Sequence, residues 1–327
     1  MTADVICLRP AADFSEVGVE VPAGLRIRFA EPGQAPAADL GTARAVVLAS
    51  VGPRLERAWL DRVSRLQLVQ FTGAGADRIG DSCAHRPEVA VANVPAANVR
   101  EVAEYVLLAA GTLLRRLAFA DREIRAGRYR EARAQLAPAA VRSLHSRTVG
   151  VIGLGRIGLA VARLLAATGA TVVYADPAPP DPAAAEALGL ARLPLDDLLA
   201  RCDVVTLHVP LLPATRGLIG AERLRRLPRG ALLINASRGG VVDEQALAGA
   251  LAGGHLGGAA VDVYAQEPPP ASSPLLRLPP AAAERVLLTP HIAGVAYEAA
   301  RELYTRAWAN VRRVLLEGLP AEHQVGA

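Results

Sequence analysis

Apolar residues in the first hundred positions come in short runs separated by polar or Gly- and Pro-containing stretches. Val5–Leu8, Arg26–Phe29, Ala45–Ala49, Leu68–Phe71 and Val89–Val91 read as strands. Helix-like segments lie between several of them, the pattern of an open parallel sheet. At Val99 the period changes. Val102, Tyr105, Val106, Ala109 and Leu113 fall at helical spacing and predict a long amphipathic helix to Arg116. Residues 121–146 read as helix followed by connector. A second α/β unit begins at Thr148, with a strand at Val149–Ile152, a helix at Arg156–Thr168 ended by Gly169, and a strand at Thr171–Ala175 with Asp176 at its end. Further buried strands are expected at Asp203–His208, Ala231–Asn235, Ala259–Val263 and Val286–Thr289, and a closing helix from Ala296 to Leu316. The Ala- and Pro-rich stretches 177–184 and 268–283 read as loops or short helices, and no internal repeat is visible.

Composition narrows the chemistry. A chain of 327 residues implies roughly two domains. No apolar run approaches the ~20 residues needed to cross a bilayer, and the N-terminus lacks the features of a signal peptide. Cys7, Cys83 and Cys202 are far apart and odd in number, which argues for three reduced thiols in a cytoplasmic protein, with no metal site and no disulfide framework. The 36 basic residues are all arginine. Without lysine there is no Schiff base for pyridoxal phosphate and no Walker A loop. The net charge of +4 is mild, and Arg115-Arg116 and Arg312-Arg313 read as solvated helix faces. With only 4% aromatic residues to stack bases, no nucleic-acid partner is expected, and no membrane partner either.

One motif stands in a defined context. Gly153-Leu154-Gly155-Arg156-Ile157-Gly158 follows an apolar strand and opens a helix, as a dinucleotide-binding turn does. Gly153 permits the tight turn, Gly155 lets the backbone approach a pyrophosphate, and Gly158 lets helix and strand pack closely. The N–H groups of Arg156 and Ile157 then face the phosphates at the positive end of the helix. Asp176 lies 18 residues past Gly158, where a carboxylate hydrogen-bonds the adenosine ribose and repels a 2′-phosphate. NAD(H) is therefore expected over NADP(H). Downstream, Arg238, Glu267 and His291 each fall at an expected carboxyl end of a strand, where open α/β sheets bind ligands. They supply what the reduction of a 2-oxo acid requires. Arg238 offers planar paired donors for the carboxylate and carbonyl oxygen, His291 a proton, and Glu267 a partner that tunes and orients the histidine.

Several blocks in order carry a resemblance. They are Phe71-Thr72-Gly73-Ala74-Gly75-Ala76-Asp77, Val99-Arg100-Glu101-Val102-Ala103-Glu104, the glycine loop, His208-Val209-Pro210 with Thr215, Ile234-Asn235-Ala236-Ser237-Arg238-Gly239, Ala260-Val261-Asp262-Val263-Tyr264 with Glu267-Pro268, and Thr289-Pro290-His291-Ile292-Ala293-Gly294. The chain resembles the D-isomer-specific 2-hydroxyacid dehydrogenases over nearly its whole length. The resemblance implies two Rossmann-like α/β domains: a flavodoxin-like substrate domain (1–98 plus 294–327) and a doubly wound NAD-binding domain (99–293). It implies that the long helices near 99–116 and 296–316 act as a hinge, and that the protein is a homodimer acting on a small 2-oxo or 2-hydroxy acid.

By the same resemblance, Arg238, Glu267 and His291 are catalytic. Ala74, Gly75 and Asn98 join Arg238 and His291 at the substrate, through backbone N–H groups and a hinge residue. His208, Pro210, Thr215, Ala236 and Gly294, with Arg238 and His291 again, complete the cofactor site, and Asp262 meets the nicotinamide carboxamide. His85, His145, His255 and His323 match nothing and read as surface residues. Ser237 stands where the family often has alanine, and the Pro- and Ala-rich stretch between Glu267 and His291 is somewhat longer than usual. Substrate choice is expected from Ser50–Arg54, Phe71–Ala76, the 119–130 segment and Tyr297. Three alternatives stand beside this reading. A formate-type enzyme would carry glutamine in place of Glu267, a phosphite-type enzyme would need a lysine, and a corepressor-like protein of the same fold would sense NAD(H) with slow turnover.

Overall fold

A computed structural model describes residues 2–31, 34–137, 141–178 and 181–325. It divides into two compact units, Met1–Asn98 with Val295–Ala327, and Val99–Gly294.

The first unit is built on five parallel strands: β1 (Val5–Cys7), β2 (Ile27–Phe29), β3 (Ala45–Leu48), β4 (Leu68–Phe71) and β5 (Ala90–Ala92), in the order β2-β1-β3-β4-β5. That is a flavodoxin-like order. The inner strands are covered on both faces, so β1 and β3 are apolar throughout, whereas the edge strand β2 alternates at exposed Arg28 and β4 carries one buried amide, Gln70. Val5 and Cys7 point to one core with Phe14, Ala45 and Leu68, whereas Ile6 points to the other with Leu40, Val46 and Val69. The helix Tyr297–Leu315 closes the first of these cores with Leu303, Ala307, Trp308 and Val311. Two amides are buried with it. Asn310 Nδ2 donates to Gln70 Oε1 at 2.6 Å, which satisfies a polar pair that would otherwise be costly to bury.

The second unit holds seven parallel strands: β6 (Thr148–Ile152), β7 (Thr171–Ala175), β8 (Ala191–Arg192), β9 (Val204–Leu207), β10 (Leu232–Asn235), β11 (Gly258–Val261) and β12 (Val286–Leu288). Their order, β12-β11-β10-β9-β6-β7-β8, is the doubly wound arrangement, with the reversal of direction between β6 and β9. Side chains alternate between two cores. Leu233 faces one with Leu207 and Val261, while Leu232 and Ile234 face the other with Val149 and Val151. The helix Val99–Arg115 packs in this second core with Ala103, Val106 and Ala110, against Val161 and Leu165 of the helix Arg156–Ala167.

The expected strands are all present, most of them a residue shorter than the apolar runs that announced them. Three features differ from the sequence reading. Strand β8 is two exposed residues long, so no apolar run marks it. Residues 117–135 form two helices, Leu117–Arg125 and Tyr129–Gln135, and the first is separated from Val99–Arg115 by Arg116 alone, in a left-handed conformation at φ 52°. The two Ala- and Pro-rich stretches, expected as loops or short helices, give the short helices Pro182–Ala187, which runs past 184, and Pro280–Ala283. His255, read as a surface residue, is half-buried, with Nε2 3.1 Å from the carbonyl of Leu224. Residues 138–140 of the expected connector and 179–180 of the expected loop lie outside the described residues.

Candidate active site

The glycine loop joins β6 to the helix Arg156–Ala167, beside the switch point of the sheet. Gly153 adopts φ +87°, and a Cβ there would lie 2.5 Å from the carbonyl oxygen of His208. The loop after β6 and the loop after β9 thus approach backbone to backbone. A Cβ on Gly158 would lie 2.0 Å from the Gly153 carbonyl oxygen, so only glycine lets the helix start this close to its strand. Gly155 is different: a Cβ there meets nothing within 4 Å. It is the N-cap residue and offers no side chain to the first turn, leaving the N–H groups of exposed Arg156 and half-buried Ile157 without intrahelical partners. The surface over Gly155 is open and ringed by donors, which fits a pyrophosphate.

Asp176 ends β7 with its carboxylate turned to this loop. One oxygen accepts the Leu154 N–H at 2.7 Å and the other the Ala178 N–H at 2.8 Å. The residue therefore clasps the glycine loop and also caps the turn that runs through Pro177 to Ala178. In the loop after β9, Thr215 Oγ1 accepts from Leu212 N at 2.8 Å and donates to the Pro210 carbonyl at 2.5 Å. Its hydroxyl is spent inside the loop, and Pro210 is exposed. His208 is half-buried, with Nε2 2.9 Å from Thr206 Oγ1. Burial pushes its pKa down to about 3, so the ring is neutral.

The three residues singled out for chemistry follow β10, β11 and β12. Arg238 lies three residues beyond β10, half-buried, with Nη1 donating to the Ser237 carbonyl at 2.8 Å. Its turn is fixed by Asn235, whose Oδ1 accepts from the N–H and hydroxyl of Ser237 and whose Nδ2 reaches the Arg238 carbonyl at 3.2 Å. Ser237 is thus a structural hydroxyl, buried in the turn. Gly239 presses the turn against the next loop, where a Cβ would lie 1.8 Å from the Tyr264 carbonyl oxygen. Ala236 is half-buried in the same turn.

Glu267 meets His291 across the Pro- and Ala-rich stretch. His291 Nδ1 is 2.9 Å from Glu267 Oε2 and 3.1 Å from Oε1, and Oε1 also accepts the Tyr264 N–H at 3.0 Å. Burial works to raise the Glu267 pKa. The hydrogen bonds from His291 and Tyr264 and the charges of His291 and Arg238 outweigh it and hold the carboxyl below its ordinary value. Glu267 therefore stays ionised at neutral pH. With Nδ1 engaged, Nε2 of His291 is the ring nitrogen that makes no hydrogen bond to a described residue.

His291 itself is in a left-handed conformation, φ 56°, without being glycine or asparagine. Such a residue persists where its surroundings over-determine it. Asp262, 1% exposed, does so here. Its carbonyl accepts the His291 N–H at 2.8 Å. One carboxylate oxygen accepts Ile292 N–H at 2.8 Å and Thr289 Oγ1 at 2.6 Å, and the other accepts Ala293 N–H at 2.8 Å. Thr289 Oγ1 in turn lies 2.6 Å from Tyr105 Oη of the helix Val99–Arg115. Because the Thr289 proton goes to Asp262, Tyr105 is the donor, and burial raises its pKa to about 12, which keeps that proton in place. This clamp is what the sequence reading missed. Asp262 was singled out for the cofactor alone, and Tyr105 only as a helix-face residue. Gly294 is half-buried just beyond the clamp.

The remaining candidates belong to the first unit. Ala74 is exposed and Gly75 buried in the turn after β4, and Asn93 Nδ2 holds the Ala74 carbonyl at 2.6 Å. Asn98 is half-buried at the end of that unit. Arg54 is exposed and paired with Asp81. Among the described residues no group of three His, Cys, Asp or Glu could hold a metal ion, and no helix is long and apolar enough to cross a membrane. Cys7, Cys83 and Cys202 are free and buried, and burial pushes all three thiols up, away from the reactive thiolate.

A doubly wound sheet with a glycine cradle at its switch point and an arginine, a carboxylate-held histidine and a buried aspartate at the neighbouring strand ends defines a dinucleotide-binding protein. Comparison with known proteins is more specific. The model of the D-isomer specific 2-hydroxyacid dehydrogenase NAD binding domain matches residues 107–293, and the chain belongs to that family. The cofactor of this domain is NAD. The chain is 38% identical over 263 residues to a D-3-phosphoglycerate dehydrogenase of Mycobacterium bovis, covering 80% of this chain but only 48% of that protein, so it spans about half its relative's length. It is 37% identical over 264 residues to an (S)-sulfolactate dehydrogenase of Chromohalobacter salexigens, covering 80% of this chain and 82% of that one. A solved D-lactate dehydrogenase of Aquifex aeolicus, complexed with NAD and lactic acid, superimposes with a TM-score of 0.83 at 27% identity, covering 96% and 95% of the two chains.

Proposed function

We propose that this protein transfers a hydride between NAD(H) and a D-2-hydroxy acid/2-oxo acid pair. The observation that carries the reading is the His291–Glu267 pair, held at 2.9 Å beside the charge of Arg238. In the direction of reduction, the bound dinucleotide supplies the hydride to the substrate's C2. Arg238 binds the carboxylate and the C2 oxygen with paired N–H donors and stabilises the negative charge that grows on that oxygen. His291 delivers its Nε2 proton to the same oxygen, so the 2-oxo acid becomes a 2-hydroxy acid, and in oxidation the ring takes the proton back. Glu267 fixes the tautomer by holding Nδ1 and balances the ring's charge while it is protonated. Asp262, with one carboxylate oxygen accepting a single backbone N–H, has a lone pair left for the nicotinamide amide.

The reading extends to assembly. Leu108, Leu117, Ile124 and Tyr129 are exposed large apolar residues on three successive helices of the NAD-binding unit, Leu108 at 68% and Tyr129 at 65%. We assign this face to a second copy of the chain, and analytical ultracentrifugation checks it.

The test of the chemistry is NADH consumption with glyoxylate, hydroxypyruvate, pyruvate, phenylpyruvate and 2-oxoglutarate, with NADPH in parallel, on the wild type and on Arg238→Ala and His291→Ala. The expected result is turnover with at least one acid, preference for NADH, and a loss of at least ~100-fold in kcat for His291→Ala, with NADH still bound. Normal turnover in either variant would sink the assignment. Tight NADH binding with no turnover on any acid would favour a sensing role.

A further inference from the structure

Arg238, Glu267 and His291 lie at the carboxyl ends of the strands of the NAD-binding unit. At the opposite, amino ends of β9–β12 there is a cavity of about 490 Å³. Its wall includes five arginines, Arg116, Arg142, Arg147, Arg229 and Arg285, and two acids, Asp203 and Glu284. Both acids are already compensated. Asp203 pairs with Arg147 at 3.3 Å and accepts the Thr148 N–H at 2.9 Å, and Glu284 pairs with Arg122 at 2.8 Å.

Three of the arginines have no carboxylate partner, although Arg116 stacks 4.4 Å over the Phe119 ring. Among the described residues, Arg116, Arg229 and Arg285 have no carboxylate within ion-pair distance. Arg285 reaches only the carbonyl oxygens of Leu251, Leu256, Gly257 and Ala281. Lack of an ion pair alone does not set them apart, since among the described residues Arg115, Arg163 and Arg225 on exposed helix faces have none either; what sets them apart is that three such arginines gather around one cavity. Two donors at the cavity are also unmet: Nε of Arg116 and Nε of Arg147 are buried with no hydrogen-bond partner. A buried donor left unmet costs about 1–3 kcal/mol. Arg116, moreover, is held in the left-handed conformation between two helices. Concentrated positive charge, unmet donors and a strained residue gathered around one cavity are the features of a ligand clamp.

We propose that this cavity binds a small polyanion, with two or more negative charges on phosphate or carboxylate groups, at a site separate from the proposed substrate and cofactor residues. Bound there, the anion meets Arg116 and Arg229 and offsets the charge of Arg285. The site is independent of the catalytic reading.

The experiment is titration calorimetry of the full chain saturated with NADH, using inorganic phosphate and citrate as separate probes. The wild type is compared with Arg229→Glu, Arg116→Gln and a control, Arg225→Glu. Arg229 and Arg225 are both exposed, so both reversals leave the core intact and change the net charge equally. Binding of either probe to the wild type, weakened about tenfold or more by Arg229→Glu and unchanged by Arg225→Glu, supports the site. Arg116→Gln is expected to weaken it as well. Response to phosphate alone assigns phosphate esters as the ligand class, and response to citrate alone assigns polycarboxylates. Absence of binding to the wild type, or equal weakening by both reversals, overturns the proposal. A change of oligomeric state in Arg229→Glu with anion binding unaltered also overturns it, and gives these arginines to a second copy of the chain.

Discussion

Asp262→Asn isolates the clamp that holds His291. The carboxylate is buried and accepts three hydrogen bonds, from Thr289 Oγ1, Ile292 N–H and Ala293 N–H. An asparagine oxygen in place of Oδ1 keeps the first two. Its amide nitrogen then faces the Ala293 N–H, donor against donor. One hydrogen bond to a charged group is lost, about 1.5–3 kcal/mol, and a buried N–H is left unmet, about 1–3 kcal/mol more. The total is roughly 3–5 kcal/mol. For a unit of the size of Val99–Gly294 that corresponds to a fall in Tm on the order of 10 °C. Calorimetry is the appropriate assay, because Trp59 and Trp308 both lie in the other unit and tryptophan emission follows the wrong transition. The loosened loop also lets His291 leave its left-handed conformation, so NADH affinity and kcat fall together. A variant that unfolds at the wild-type temperature and turns over normally would refute the clamp.

Three further outcomes follow from the same geometry. His208 has its pKa pushed down to about 3 by burial, so below pH 6.5 the unfolded chain takes up a proton that the folded chain refuses. Stability then drops by ~1.4 kcal/mol per pH unit as the pH falls from 6.5, about 2 kcal/mol at pH 5. His208→Asn should remove that slope, and denaturant unfolding at pH 7.5 and 5 would show it; equal slopes in the two proteins contradict the assignment. Gly239→Ala drives a methyl into the Tyr264 carbonyl, so it should cost about 1–3 kcal/mol or more and lower kcat/KM at least tenfold by displacing Arg238. Tyr105→Phe removes one hydrogen bond to Thr289, worth about 1 kcal/mol, and should lower kcat a few-fold while KM for the acid holds; an unchanged kcat would place Tyr105 outside the clamp.

Much of the architecture was legible because burial writes itself as apolar runs. Strands covered on both faces, such as β1 and β3, are uninterrupted hydrophobic stretches. Strand β8 was not, since its two residues are exposed at a sheet edge. The left-handed Arg116 was equally invisible: no glycine, asparagine or proline punctuates Arg115-Arg116-Leu117, and the break follows from packing on either side. At the site, the glycine loop could be read because its spacing is local. The meeting of Glu267 with His291 is not local, and it was read from their places at neighbouring strand ends together with the family resemblance. The duties of Asp262 and Tyr105 lie deeper still. They depend on which way a buried hydroxyl proton points, and a string of residue names does not carry that.

Asp176 has a consequence for the evolution of cofactor choice. The carboxylate expected to read the ribose also latches the glycine loop through Leu154. Discrimination and scaffold are thus written on one side chain. A lineage drifting toward the phosphorylated dinucleotide cannot simply discard the charge, since the loop that cradles either cofactor would slacken at the same moment. The passable route runs through a neutral hydrogen-bond acceptor such as asparagine, whose single oxygen keeps the latch to Leu154 and drops the repulsion at the cost of the bond to Ala178. A basic residue comes only after that step, and the adjacent strand already provides one in Arg192, whose guanidinium holds the Pro177 carbonyl at 2.7 Å.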